Sequence, residues 1–155
     1  MKRIVNNQKS KIINGSGFKV GIVVSKFNSD ITGNMLKGVL ETLKKNKVKE
    51  NNIKIIWVPG SFEIPLACQK LAQSKKYNAL IALGCVIKGE TDHYYFVAGE
   101  ASRGIMDVML KFNIPIGFGI ITTNNLKQAI TRSGGKHNKG ADAARAVLEM
   151  VNIEL

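Results

Sequence analysis

Four short β-rich apolar runs, with segments of helical period between and after them, leave this chain of 155 residues few folds to choose from. The runs are Phe18 to Val24, Ile53 to Val58, Ala79 to Leu83 and Ile114 to Ile121, each bounded by Gly, Pro or polar residues. Runs of that length and composition read as buried strands. Between them Ile31, Met35, Val39 and Leu43 recur every fourth residue, and Val97, Ala101 and Ile105 do the same ahead of Val108 and Phe112. That period gives each segment one apolar helix face. A shorter helix is expected over Phe62 to Lys75, with Ser61 as N-cap and Pro65 in the first turn, where its missing N–H has no partner to lose. Leu126 to Arg132 and Ala141 to Val151 make a last pair of helices, broken at Gly134-Gly135. Strand and helix alternating in this way predict an α/β fold with a four-stranded parallel sheet covered on both faces.

With 45% hydrophobic residues the chain can bury one ordinary core, expected over residues 18–155. Residues 1–17 form an N-terminal arm carrying Ile4, Val5, Ile12 and Ile13 ahead of the Gly15-Ser16-Gly17 turn. Two expectations stand for the arm: it adds a strand to a neighbouring subunit, or it is disordered. The basic start, Met1 to Lys9, has no apolar run behind it, and no stretch is long and apolar enough to span a bilayer. A cytoplasmic protein with no membrane contact is expected. Cys68 and Cys85 belong to no Cys-x-x-Cys pair and sit in apolar surroundings, so they read as reduced, buried thiols rather than metal or redox groups.

The net charge is +12, yet only Arg3, Arg103, Arg132 and Arg145 carry a guanidinium, the group best shaped for phosphates and base edges. The lysines, among them Lys44, Lys45, Lys47, Lys49, Lys75 and Lys76, are not interleaved with aromatics. A solvated basic surface that attracts anions is expected, which argues against a nucleic-acid partner.

Ligands of open parallel α/β sheets bind beyond the carboxyl ends of the strands. The unusual residues cluster at those positions. Phe27, in the polar loop after the first run, could stack on a planar ligand or be an exposed aromatic of no consequence. After the second run, Phe62 offers an apolar wall and Glu63 a carboxylate that could accept hydrogen bonds from a polyol, or simply complement a helix dipole. Gly89, Glu90 and Thr91 lead into the third helix, where backbone N–H groups suit a phosphate; the alternative is a plain turn capped by Thr91. His93 starts that helix and is the one imidazole in the cluster, since His137 lies in the glycine break. Imidazole moves protons well near neutral pH, although a single histidine is more often structural. Arg132, Lys136 and Lys139 flank Gly134-Gly135 and could clamp a phosphate dianion or complement a helix C-terminus. No Gly-x-Gly-x-x-Gly or Walker loop follows the first run, which argues against dinucleotides and nucleoside triphosphates.

Four motifs in this order, Val58-Pro59-Gly60-Ser61-Phe62-Glu63-Ile64-Pro65, Gly84-Cys85-Val86-Ile87-Lys88-Gly89-Glu90-Thr91-Asp92-His93, Thr122-Thr123 and Asn138-Lys139-Gly140-Ala141, resemble the 6,7-dimethyl-8-ribityllumazine synthases. The resemblance runs from Phe18 to the C-terminus. It implies a flavodoxin-like sheet, homopentamers with sites between adjacent subunits, and often twelve pentamers in an icosahedral shell, which could hold riboflavin synthase as cargo. It implies the condensation of 5-amino-6-(D-ribitylamino)uracil with 3,4-dihydroxy-2-butanone 4-phosphate, with no cofactor and no metal. By the same resemblance Phe27 stacks on the pyrimidine, Ser61, Phe62 and Glu63 hold the ribityl chain, and Val86 and Ile87 line the heterocycle pocket. Gly89, Glu90 and Thr91 cradle the phosphate and His93 shuttles protons. Arg132, Phe118 and Lys139 reach in from the neighbour, with Lys136 beside them.

Three departures from the family pattern stand out. Thr131 replaces the acid that commonly precedes the arginine, Tyr95-Phe96 replaces an acid-aromatic pair, and Gly135 to Lys139 is one residue shorter than usual. Two other readings share the fold: an archaeal-type riboflavin synthase, which needs no phosphate grip, and a non-catalytic lumazine or flavin carrier. Receiver and flavodoxin-type proteins are set aside, because Ser25-Lys26-Phe27 and Gly84-Cys85 stand where a receiver needs acids.

Overall fold

The computed structural model describes residues 11–153. Four parallel strands, β1 (Val20–Ser25), β2 (Ile53–Val58), β3 (Ala79–Ile87) and β4 (Ile116–Thr123), form one sheet in the order β2-β1-β3-β4. This is the order of flavodoxin-like sheets. The helices are α1 (Ser29–Lys45), α2 (Ile64–Gln73), α3 (His93–Phe112), α4 (Leu126–Ser133) and α5 (Lys139–Val151).

Period-two alternation sorts the core into two layers. Val20, Ile22 and Val24 of β1 with Ala79, Ile81, Leu83 and Cys85 of β3 face α1 and α5. Val23, Leu80 and Ala82 face α2 and α3 on the other side. Both faces of the central strands are therefore covered, as their near-continuous apolar sequence requires. The edge strand β2 is only partly covered, with Trp57 exposed.

Three of the differences from the sequence reading bear on the carboxyl ends of the strands. Strands β3 and β4 reach further toward their carboxyl ends, so Gly84 to Ile87 and Thr122-Thr123 are strand and not loop. Val86 and Ile87 pair with Thr122 and Thr123, and Lys88 N–H donates to Thr123 O at 2.8 Å. Gly84 is no boundary: a Cβ there would lie 2.4 Å from Ser61 Oγ, so the glycine lets the turn after β2 rest on β3. That contact also corrects the role given to Ser61. The hydroxyl is turned onto the sheet and caps nothing, Ser61 to Glu63 form a 3₁₀ turn, and α2 starts at Ile64 with Pro65 in its first turn.

Of the arm, Ile4 and Val5 lie outside the described residues. Residues 11–17 form no strand; Ile13 N–H donates to Asn46 Oδ1 at 2.8 Å and Gly15 N–H to Asn46 O at 2.7 Å, which pins them to the end of α1. Among the described residues no helix is long and apolar enough to cross a membrane.

Cys68 and Cys85 are buried and unpaired, and burial pushes their thiols up to about 12 and about 11. The thiolate is the reactive species, and at pH 8 only about 10⁻⁴ of Cys68 would carry it. Neither cysteine should react with an aromatic disulfide reagent in the native protein, and both should react in denaturant. Rapid labelling of the native chain would contradict this packing.

Candidate active site

Because β2, β1 and β3 are parallel and adjacent, their carboxyl ends open side by side, and the loops that leave them are tied together. Lys26 N–H donates to Val58 O at 2.8 Å and Phe27 N–H to Pro59 O at 3.1 Å. Asn28, in the left-handed region at φ 58°, sends its Nδ2 to Cys85 O at 3.0 Å. Thr32 Oγ1 donates to Ser25 O at 2.7 Å from inside α1. These bonds fix the loop backbone from three directions and leave the Phe27 ring 70% exposed above it. A ring held out by a pinned loop is a preorganised stacking surface.

Phe62 stands beside it on the 3₁₀ turn, 57% exposed, while Glu63 lies exposed next to Gly60, whose added Cβ would sit 3.1 Å from Glu63 Oε2. Val86 and Ile87, half-buried, end β3. Gly89, Glu90 and Thr91 are exposed in the bend that follows, and His93 is the exposed first residue of α3. Thr91 serves poorly as the alternative cap: its Oγ1 accepts His93 N–H at 3.4 Å, and the residue before the helix, Asp92, makes no side-chain cap. Tyr95 N–H is taken by Asp92 O at 2.9 Å, but His93 N–H ahead of it has no protein oxygen at good distance, and the helix dipole adds positive potential there.

Lys88 was given no role from sequence, yet it borders this bend. Its ammonium lies 5.4 Å from the centre of the Tyr95 ring, and the neighbouring Tyr95 side chain holds the lysine above its ordinary range. Tyr95, where an acid is usual, therefore keeps a cation beside the bend. The signal in sequence was Lys88 immediately before Gly89.

The remaining expected residues sit on other elements and make no hydrogen bond or ion pair to this cluster. Phe118 lies mid-strand in β4, opposite Ala82 and five residues short of Thr123, about 17 Å along a strand. It is 50% exposed on the edge of the sheet, between the buried Ile116 and Ile120 of the α3 side, and Thr122 is exposed on the same side of the strand. Arg132, in the last turn of α4, donates from Nη1 to Gln128 O of its own helix at 3.1 Å. Thr131, in place of an acid, bonds back to Lys127 O, and among the described residues no carboxylate pairs with Arg132. Lys136 is exposed in the 3₁₀ turn after the break, where Gly135 takes φ +54°. Lys139 Nζ lies 2.9 Å from Asp142, which also holds Arg145. Burial pushes the Asp142 carboxyl up, but the two cations more than offset it and hold it below the usual range.

A groove of about 600 Å³ between α1 and the start of α5 is lined by Lys37, Gly134, Asn138 and Arg145, and by none of the expected site residues. Among the described residues no three His, Cys, Asp or Glu side chains gather closely enough to hold a metal.

A flavodoxin-like sheet with exposed aromatics and an open bend over its carboxyl ends defines an open-sheet α/β protein, the class whose ligands are held beyond those ends. The particular family follows from the family model of 6,7-dimethyl-8-ribityllumazine synthase, which matches residues 17–154: the chain belongs to that family of riboflavin biosynthesis transferases. Among solved structures, a GDP-L-fucose synthetase from Naegleria fowleri bound to NADP is similar over 97% of this chain at 15% identity and a TM-score of 0.44. This chain spans 47% of that protein's length.

Proposed function

We propose that the chain condenses 5-amino-6-(D-ribitylamino)uracil with 3,4-dihydroxy-2-butanone 4-phosphate to 6,7-dimethyl-8-ribityllumazine, the penultimate step of riboflavin biosynthesis. The amine and ketone form a Schiff base with loss of water, inorganic phosphate leaves, and ring closure with a second dehydration gives the product. Phe27 stacks on the pyrimidine, Phe62, Glu63 and the backbone of Ser61 hold the ribityl side, and Val86 and Ile87 line the heterocycle pocket. The backbone of Gly89, Glu90 and Thr91 receives the phosphate, and His93 moves protons between the amine, the carbinol and the leaving group.

One observation carries the reading. The cluster over β1, β2 and β3 has no arginine of its own, while the uncovered flank of β4 and α4 presents exposed Phe118 and the unpaired charge of Arg132. Each half supplies what the other lacks when two copies stand side by side, so the site is completed by Arg132, Phe118, Lys136 and Lys139 of a neighbour. Such heterologous contacts close into rings. A homopentamer in the cytoplasm, with twelve pentamers as the larger assembly, is the arrangement proposed.

The purified chain, given both substrates, is expected to release phosphate and develop lumazine fluorescence together, with neither signal when one substrate is omitted. A protein that bound lumazine tightly but formed none would be the carrier instead.

A further inference from the structure

The lysines scattered along the sequence come together in the fold. Val20 pairs with Ile53 on one side and Ala79 on the other, so the segments feeding β1, β2 and β3 lie next to one another at the amino end of the sheet, away from the proposed active site. Asn78 N–H donates to Lys19 O at 2.8 Å and Lys19 N–H to Asn78 Oδ1 at 2.8 Å, which joins two of these segments directly. Residues 17–19, 44–52 and 74–78 hold seven lysines and a single acid, Glu50. All seven lysines are exposed, and among the described residues none pairs with a carboxylate.

Two further observations show what this face is suited to. Lys47 and Lys75 take positive φ, 65° and 56°, just past the ends of α1 and α2, where glycine or asparagine is favoured. Both positions present a cation where the backbone would prefer a residue without one. The apolar residues of the same segments turn inward: Val48 is 5% exposed, and Phe18 and Tyr77 pack on the core. These three segments hold no large apolar or aromatic side chain among the exposed ones, so they offer little for insertion into a bilayer or stacking on a base. What remains is a lattice of mobile point charges on a polar surface.

We infer that the amino-end face of the sheet binds nucleic acid through its phosphate backbone, without sequence preference. Unpaired lysines neutralise phosphates and release their counterions, and this electrostatic contact needs neither guanidinium forks nor aromatics. The inference revises the expectation from sequence, which counted the lysines one by one and could not see them converge. It stands independently of the reaction proposed above.

The test is fluorescence anisotropy of a labelled single-stranded oligouridylate with the full chain, over about 50 to 200 mM salt. The affinity should fall steeply with salt. Lys44→Gln/Lys47→Asn/Lys75→Asn/Lys76→Gln removes four charges while keeping residues that tolerate the left-handed positions. It should flatten the log-log slope by about 3, since each lost phosphate contact removes roughly 0.7. Lys37→Gln/Lys70→Gln/Lys127→Gln, which discharges other surfaces, should change the slope by less than about 1. Should the fourfold variant fail to fold by circular dichroism, Lys44→Gln/Lys76→Gln carries the test with about half the change. No binding at the lowest salt, or equal losses in both variants, overturns the inference. So does binding of phosphatidylserine vesicles through these lysines without binding of the RNA.

Discussion

Arg132→Ala should lower the rate of phosphate release by about 10²–10³-fold, the usual effect of deleting one donor aimed at developing negative charge. No carboxylate compensates this guanidinium among the described residues, so its field is available to a phosphate. His93→Ala should cost distinctly less, because the exposed imidazole can be replaced by water. The stronger version of the experiment tests whether one site is shared by two protomers. At Gly89 an added Cβ meets nothing within 4 Å, so Gly89→Asp fits the backbone while placing a carboxylate where the phosphate should bind. Arg132→Ala and Gly89→Asp should each be nearly inactive alone. Co-assembled in equal amounts they should recover roughly a quarter of the wild-type rate, because that fraction of sites pairs an intact bend with an intact arginine. A mixture that stays as inactive as its parents would mean that the bend and Arg132 serve one protomer or no common site. Full activity of both single variants would remove the assignment altogether.

The fold could be read in the sequence where the signal is periodic. The four apolar runs and the every-fourth-residue pattern of Ile31 to Leu43 lie within the observed strands or beside them and on α1, because burial on both faces of a parallel sheet leaves little choice of residue. Strand ends were harder, since Gly84 looks like a stop signal and is instead a close approach. The cradle and the aromatic positions were legible because loops after parallel strands are where ligands are held. That Phe118 stands exposed on the sheet edge was not legible, because an edge carries no mark in sequence until a strand's neighbours are known. Asn138 was quoted in a motif and assigned nothing. Part of its work depends on the Asn34 carbonyl, 104 residues away, which no local pattern announces.

Asn138→Ala should destabilise the chain by about 2–4 kcal/mol, in proportion to what its one amide joins. Nδ2 donates to Asn34 O of α1 at 2.9 Å and to Ser133 O of α4 at 2.8 Å, and Oδ1 accepts Ala141 N–H at 3.1 Å as the cap of α5. The side chain is buried, so alanine would remove the cap, leave Ser133 O without a donor and take from Asn34 O the donor it has beyond its own helix. The helices cannot close the gap, because α1 and α5 already touch: a Cβ on Gly38 would lie 2.4 Å from Asn138 Cγ, and one on Gly140 would lie 2.3 Å from Met35 O. At roughly 2–4 °C per kcal/mol for a chain of this size, the melting temperature should drop by about 5–15 °C. Asn138→Asp should be worse than alanine, since it retains the cap but turns a carboxylate oxygen toward two carbonyls. Asn138→Ser should recover the cap share, about 1 kcal/mol. A functional effect follows from the same geometry, because Ser133 adjoins Arg132 and Asn138 adjoins Lys139: the KM for the phosphorylated substrate should rise even at temperatures where the variant is folded. A thermal shift within about 1 °C of wild type, with KM unchanged, would show that α1, α4 and α5 are joined by packing alone.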